Sequence, residues 1–219
     1  MEFKELTPKK KLEHIWEYYK IHIISLIAII GVIIWGVNHF ILHPEPTVCC
    51  GVAVYGPHIS AETVQELENR LTSGIVPQGM NEKAEVTNFF FTEGKSSEDV
   101  IQDQDMLNKF YTYLYSLQLD IFIGNKEDTE ACIKADFLNP VDKYFGKEEM
   151  NVFEDGERLL YGMGSEDKEE KPYAIKIENS ALANELGILN DDEYYIGFVP
   201  IEGREETAKK AVEMFVDKK

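Results

Sequence analysis

The chain has few cysteines, few histidines and, beyond residue 42, few cations for its acids, and each shortage narrows the function. Only Cys49, Cys50 and Cys132 occur, an odd number without a C-x-x-C spacing, so a dithiol redox motif is excluded. Adjacent cysteines do not readily bridge each other. Two readings remain: buried free thiols, or a bridge from Cys49 or Cys50 to Cys132 of the kind an extracytoplasmic location permits. All five histidines precede residue 60. His14, His22, His39 and His43 lie in or beside one apolar segment, which leaves His58 as the one candidate base in the region able to fold. There is no G-x-x-x-x-G-K-[ST], G-x-S-x-G or H-E-x-x-H. The sequence therefore predicts a protein that is not an enzyme, with no catalytic residues, no cofactor and no metal. Asp103 with Asp105, and residues 190–193, lack the loop glycine and terminal glutamate of a calcium-binding hand and read as solvated surface.

Charge is divided along the chain. Residues 1–20 hold five lysines and four glutamates, residues 21–42 hold no Asp, Glu, Lys or Arg, and the remainder keeps 17 of the 22 basic residues and 36 of the 40 acidic ones, net −19. Phosphate recognition needs concentrated Lys and Arg, so nucleic acid is not an expected partner. The acidity fits solubility, with an acidic recognition surface as the alternative.

The uncharged run 21–42 would span about 33 Å as a helix, enough for the hydrocarbon core of a bilayer. His22 and Asn38-His39 fall near its ends, and Trp16, Tyr18 and Tyr19 on one side with Trp35 and Phe40 on the other fit the aromatic belts at membrane boundaries. Trp16, Tyr19, Trp35 and Phe40 are the expected anchors. Lysines crowd the near side and none occurs in residues 43–56, so the N-terminus is expected in the cytoplasm and the rest outside the cytoplasmic membrane. A cleaved secretory signal is the rival, but its apolar core usually runs to only about 7–15 residues. Ahead of the span, Thr7-Pro8 starts a helix whose apolar face, Leu12, Ile15, Trp16 and Tyr19, either lies on lipid or docks on a partner's membrane helix.

Beyond a stiff proline spacer at 43–48, apolar runs and helical periodicity alternate. Strands are expected at 49–55, 85–92, 119–124 and 194–199, and order returns at 173–177 after a break at 146–172. A helix capped by Ser60 has Val64, Leu67 and Leu71 as its inner face and stops at Ser73-Gly74. A second, over 98–118, opens at a capping box at Ser96 and carries the stripe Leu107, Phe110, Leu114 and Leu117. Further helices are expected at 126–135, 180–186 and 204–216, with a helical turn or short helix at 140–145. Residues 146–172 break the pattern and read as a hairpin or a mobile loop. The organisation expected is an amphipathic segment (1–20), a signal-anchor helix (21–42), a linker (43–48) and an extracytoplasmic α/β domain (49–219) with a compact mixed or parallel sheet flanked by helices.

The stretch LDIFIGNKEDTEACIKADFLNPVDKYF, from Leu119, resembles a segment of bacterial extracellular solute-binding proteins of the type II periplasmic-binding fold, with Leu138-Asn139-Pro140-Val141-Asp142 in place of their Leu-x-Pro-Leu-Asp-like phrase. Residues 172–177 are similar to the strand crossing between lobes, and 195–216 to a late strand and helix. The resemblance implies a binding scaffold. Its full members hold ligand between two lobes, whereas this chain has room for one, the second being missing or reduced to 146–172. A ligand in an open α/β sheet sits at the carboxyl ends of the strands, which selects Gly56-Pro57-His58, Thr92-Glu93-Gly94 and Gly124-Asn125, with Tyr173 near the crossing. His58, Thr92, Asn125 and Tyr173 are the ligand-binding candidates. The expected function is a membrane-tethered binding domain that contacts the lipid bilayer and a membrane-protein partner or a small solute. A solute receptor for a transporter, a cell-envelope hydrolase and a structural spacer are the alternatives.

Overall fold

The computed structural model describes residues 8–42, 44–56, 58–91, 97–178, 180–188, 193–200 and 202–216, with side chains described from residue 16 onward except those of 97–100. The chain divides into two units, Met1–Pro46 and Thr47–Lys219.

In the first unit, helix α1 (Pro8–Gly36) runs without interruption into a π-helical stretch, Val37–Leu42. The amphipathic segment and the apolar run, separate in the sequence reading, are one helix, as expected where neither Gly nor Pro intervenes between Lys9 and Ile30. Trp16–Leu42 is 27 residues long, its most apolar 18-residue stretch has mean hydropathy 2.3, and none of it is buried. At 1.5 Å per residue it is about 40 Å long. Trp16, Tyr19, Trp35 and Phe40 are each more than half exposed. The Trp35 and His39 rings stack at 5.4 Å, and Phe40 meets His39 edge-on at 4.8 Å.

The second unit is built on a six-stranded mixed sheet in the order β2-β1-β3-β6-β5-β4. Strand β1 (Thr47–Gly56) lies between two parallel partners, β2 (Glu82–Phe90) and β3 (Ile121–Asn125). Strand β6 (Tyr194–Phe198) is antiparallel to β3, β5 (Lys171–Lys176) to β6, and β4 (Leu159–Gly162) to β5. Both faces are covered, so strands such as Val52-Ala53-Val54 are apolar at successive positions rather than alternating. Cys50, Val52 and Val54 pack with helices α2 (Ala61–Ile75), α5 (Lys147–Asp155), α6 (Ala181–Leu186) and α7 (Glu205–Phe215). Ala53, Phe89 and Phe122 pack with α3 (Ser97–Tyr115) and α4 (Lys126–Lys134). Cys50 and Cys132 belong to opposite layers, and all three cysteines are free.

Three local expectations are corrected. Ser60 caps α2, its Oγ accepting from the Thr63 N–H at 3.1 Å, but the helix passes Ser73-Gly74 and ends at Ile75. Gly74 serves packing: a Cβ there would lie 2.5 Å from Met214 Sδ on α7. Leu117 is not part of a helical stripe, because α3 closes at Tyr115 and Leu117 follows with φ 57°, exposed. In residues 146–172 the hairpin is present as β4 and β5, but α5 precedes it. That helix opens where the Glu149 carboxylate accepts the Gly146 N–H at 3.0 Å, and Phe153 secures it to the core.

Candidate functional site: a cleft at the end of strand β6

Strand β3 is preceded by Asp120, the one acidic residue in the apolar phrase LDIFIG. Its backbone ties three strands: the Asp120 N–H donates to Gly51 O at 2.8 Å and its carbonyl accepts from the Val199 N–H at 2.9 Å. Its carboxylate repeats the tie, Oδ2 accepting from the Gly51 N–H at 2.7 Å. Gly51 permits this approach because a Cβ at that position would fall 1.8 Å from the Gln118 carbonyl oxygen. Oδ1 is buried without an aligned hydrogen-bond donor and faces Arg204 Nε at 3.2 Å as an ion pair. A terminal nitrogen of Arg204 donates to the Leu117 carbonyl at 2.7 Å. Burial pushes the Asp120 carboxyl up to about 6, the Gly51 N–H and the Arg204 charge opposing that rise.

The opposite wall is the turn after α4. The Asn139 N–H donates to the Phe198 carbonyl at 2.7 Å, which seats the turn on the end of β6. The Asn139 amide nitrogen then donates to the Tyr144 hydroxyl at 3.0 Å, and Lys143 Nζ donates to Asn139 Oδ1 at 3.0 Å. Tyr144 stacks on Phe198 at 3.9 Å and 11°. Lys209 on α7 lies over the Phe145 ring at 4.9 Å and donates to the Glu149 carboxylate at 2.9 Å.

Between these walls is a cleft of about 840 Å³, lined by Leu117, Asn139, Lys143, Tyr144, Pro200, Glu202, Arg204, Glu205, Glu206 and Lys209. A second hollow of about 480 Å³ shares Asn139, Lys143 and Pro200 and is bounded by Asp136, residues 164–167, Lys171 and Tyr173. There Asp167 accepts from Lys171 Nζ, the Tyr173 hydroxyl and the Gly164 N–H, which hold its carboxyl down at about 2. Burial and the Asp167 charge push the Tyr173 phenol up to about 12. Three cations and three carboxylates line the larger cleft, so it selects neither sign of charge. Burial raises the Tyr144 phenol, which makes it a donor rather than a base. Among the described residues no group of three His, Cys, Asp or Glu side chains is placed to hold a metal. The arrangement offers donors, acceptors and an aromatic face over an open surface, which suits binding.

The four sequence candidates do not meet here. His58 is exposed beyond β1 with its ring 4.5 Å from Phe90. Asn125 ends β3 and caps α4, its Oδ1 accepting from the Asp128 N–H at 2.8 Å. Both lie at the carboxyl ends of the parallel strands. Tyr173 is one residue before Ala174, which is level with Phe122 at the start of β3, so it belongs to the opposite end and lines the smaller hollow. Thr92 lies outside the described residues. Asp120, Arg204, Lys143 and Tyr144 were not singled out from sequence. The available signals were an acid inside an apolar strand phrase and the phrase around Asn139. No family model, no curated protein and no solved structure matches the chain.

Proposed function

We propose that this chain is a membrane-tethered, extracytoplasmic, non-enzymatic binding domain that recognises a protein partner within a membrane complex through the cleft at the end of β6. The observation that carries the reading is the helix Trp16–Leu42, uncharged over 21–42 and with no buried residue, attached to a unit that has a core of its own. A helix apolar on every side needs lipid or another helix around it, and the lysines before it favour an N-terminus in the cytoplasm. A protein partner is favoured over a small solute because the cleft has one sheet behind it and lies open, whereas small-molecule sites enclose most of their ligand. The likeness to solute-binding proteins supports a binding scaffold. A hydrolase has no support from His58, which stands at the other end of the sheet from the cleft.

The test is site-specific photocrosslinking of the full-length chain in bacterial membranes, with a photoreactive residue replacing Glu206 in the cleft or Gln65 on the exposed face of α2. A crosslinked protein from position 206 and none from 65 supports the reading. Equal crosslinking from both, or none from either, refutes the cleft as the recognition surface. A small molecule co-purifying with the protein and displaced by changes at Tyr144 would favour the solute receptor instead.

A further inference from the structure

We propose that Asp120 and Arg204 form a proton-operated latch on the wall of the cleft: paired, they hold the segment entering α7 against the middle of β1 and the start of β3, and when Asp120 takes up a proton the guanidinium is released from it toward the cleft. The biological use of such a latch rests on the cleft being a binding surface, while the coupling between the two residues stands without a partner.

The carboxyl is fixed. It is 1% exposed, Oδ2 is held by the Gly51 N–H at 2.7 Å, and Gly51 is itself pressed against the Gln118 carbonyl. The carboxyl therefore cannot follow Arg204 if that side chain moves. Oδ1 is buried and lacks an aligned donor, and its tie to Arg204 Nε at 3.2 Å depends on charge rather than on hydrogen-bond geometry. Neutralising the carboxyl removes most of that attraction.

Arg204 has little local reason to be where it is. It occupies the N-cap of α7, where Ser, Thr, Asp or Asn would satisfy the first turn, and its side chain makes no capping bond. A cation there also opposes the helix dipole. What holds it is Asp120 and the Leu117 carbonyl, and its side chain, 24% exposed, already lines the cleft. A residue that violates the local helix rule loses its ionic tie when the buried charge disappears, and the Leu117 carbonyl, on the rim of the cleft, is then what it bonds.

The groups facing Asp120 leave it as the element that responds near neutrality. From β1 these are Cys49 and Cys50, from the turn after α4 Tyr144, and from the start of α7 Arg204 and Glu205. Burial raises both thiols and the phenol, so they stay neutral. The backbone N–H groups of Gly203 and Glu205 hold the Glu205 carboxyl below its ordinary range, so it stays an anion, and the guanidinium stays a cation. Asp120, pushed up to about 6 by burial, changes charge alone.

The experiment is an NMR titration of the full-length protein in detergent micelles between pH 4.5 and 7.5. It follows aspartate carboxyl carbons, the Arg204 Nε–H and the Tyr144 ring, with Asp120→Asn to assign the carboxyl and Arg204→Gln as the independent variant. The latch predicts that Asp120 titrates near 6 and that the Arg204 and Tyr144 signals move with the same midpoint. It also predicts that Arg204→Gln raises the Asp120 midpoint by up to about one unit, and that Asp120→Asn leaves Arg204 at its acid-limit position at every pH. A midpoint near 4, a midpoint indifferent to Arg204→Gln, or flat Arg204 and Tyr144 signals overturns it. These readouts need no partner, so they separate failure of the latch from failure of the crosslink at position 206.

Discussion

The two ends of the six-stranded sheet use their polar residues differently. At the carboxyl ends of β1 and β3, polar groups hold the fold: Ser60 caps α2, Asn125 caps α4, and Asn88 accepts from the Ile59 N–H while donating to Val54 O. At the other end, where β6 finishes, Lys143, Tyr144, Glu202, Arg204 and Glu206 surround an open cleft. The rule that places ligands at strand carboxyl ends assumes a parallel sheet. Here β6, antiparallel to β3, brings its own carboxyl end to the amino end of β3, level with the middle of β1, and the helix and turn that follow build the concavity there.

The change expected to disrupt the cleft end most is Gly51→Ala. Its Cβ would meet a backbone oxygen at 1.8 Å, which no rotamer change relieves, and the Asp120 tie would have to open. Such overpacking against backbone costs about 3 kcal/mol or more. A urea midpoint within error of the parent protein would show that β1 and the segment before β3 are not locked together as described.

Next in size is the pH dependence set by Asp120. Its folded value, about 6, lies above the ordinary 3.8, so between those values the folded state holds a proton that the unfolded chain has given up. Stability from this group is therefore full below about pH 4 and is lost as pH rises through about 6, a change of roughly 2–3 kcal/mol. Asp120→Asn, which keeps an oxygen for the Gly51 N–H, should flatten that part of the profile. Denaturation at pH 5 and pH 7 checks it, and an unchanged slope in the variant would assign the titration elsewhere.

The fold was more legible in the sequence than the site. Runs such as Val52-Ala53-Val54 and Ile121-Phe122-Ile123, and the spacing Ala208, Ala211, Val212 and Phe215, mark buried elements because burial acts on local composition. Strand direction has no such signature: Tyr194–Phe198 reads the same whether parallel or antiparallel to β3, and that direction decides which end carries the cleft. Asp120, Asn139 and Arg204 are also far apart along the chain, and only the register of β3 and β6 joins them. Gly74 read as a stop because the sequence does not show Met214 pressing on it. Helix α5 was hidden among charges because Phe153 is its one fully buried residue.

At the carboxyl end, Asn125→Ala removes the cap of α4 and should cost about 1 kcal/mol. It should leave crosslinking from position 206 unchanged, because Asn125 acts on the fold and not on the cleft. A stability loss accompanied by loss of the crosslink would mean that the two ends of the sheet are coupled through α4.

The smallest effect is expected from His58→Ala. The side chain is exposed and meets the Phe90 ring at a tilt, and the segment is held by the buried Ile59 side chain and by the Ile59 N–H donating to the Asn88 side chain, both of which the substitution leaves intact. Surface changes of this kind stay within about 0.5 kcal/mol, and a binding surface confined to the cleft gives His58 no part in recognition. Unchanged stability and crosslinking therefore fit a sheet whose carboxyl end is structural. Loss of partner crosslinking at normal stability would reverse the assignment of the two ends, because the one histidine in the folded unit would then contribute to recognition where a parallel sheet would place it.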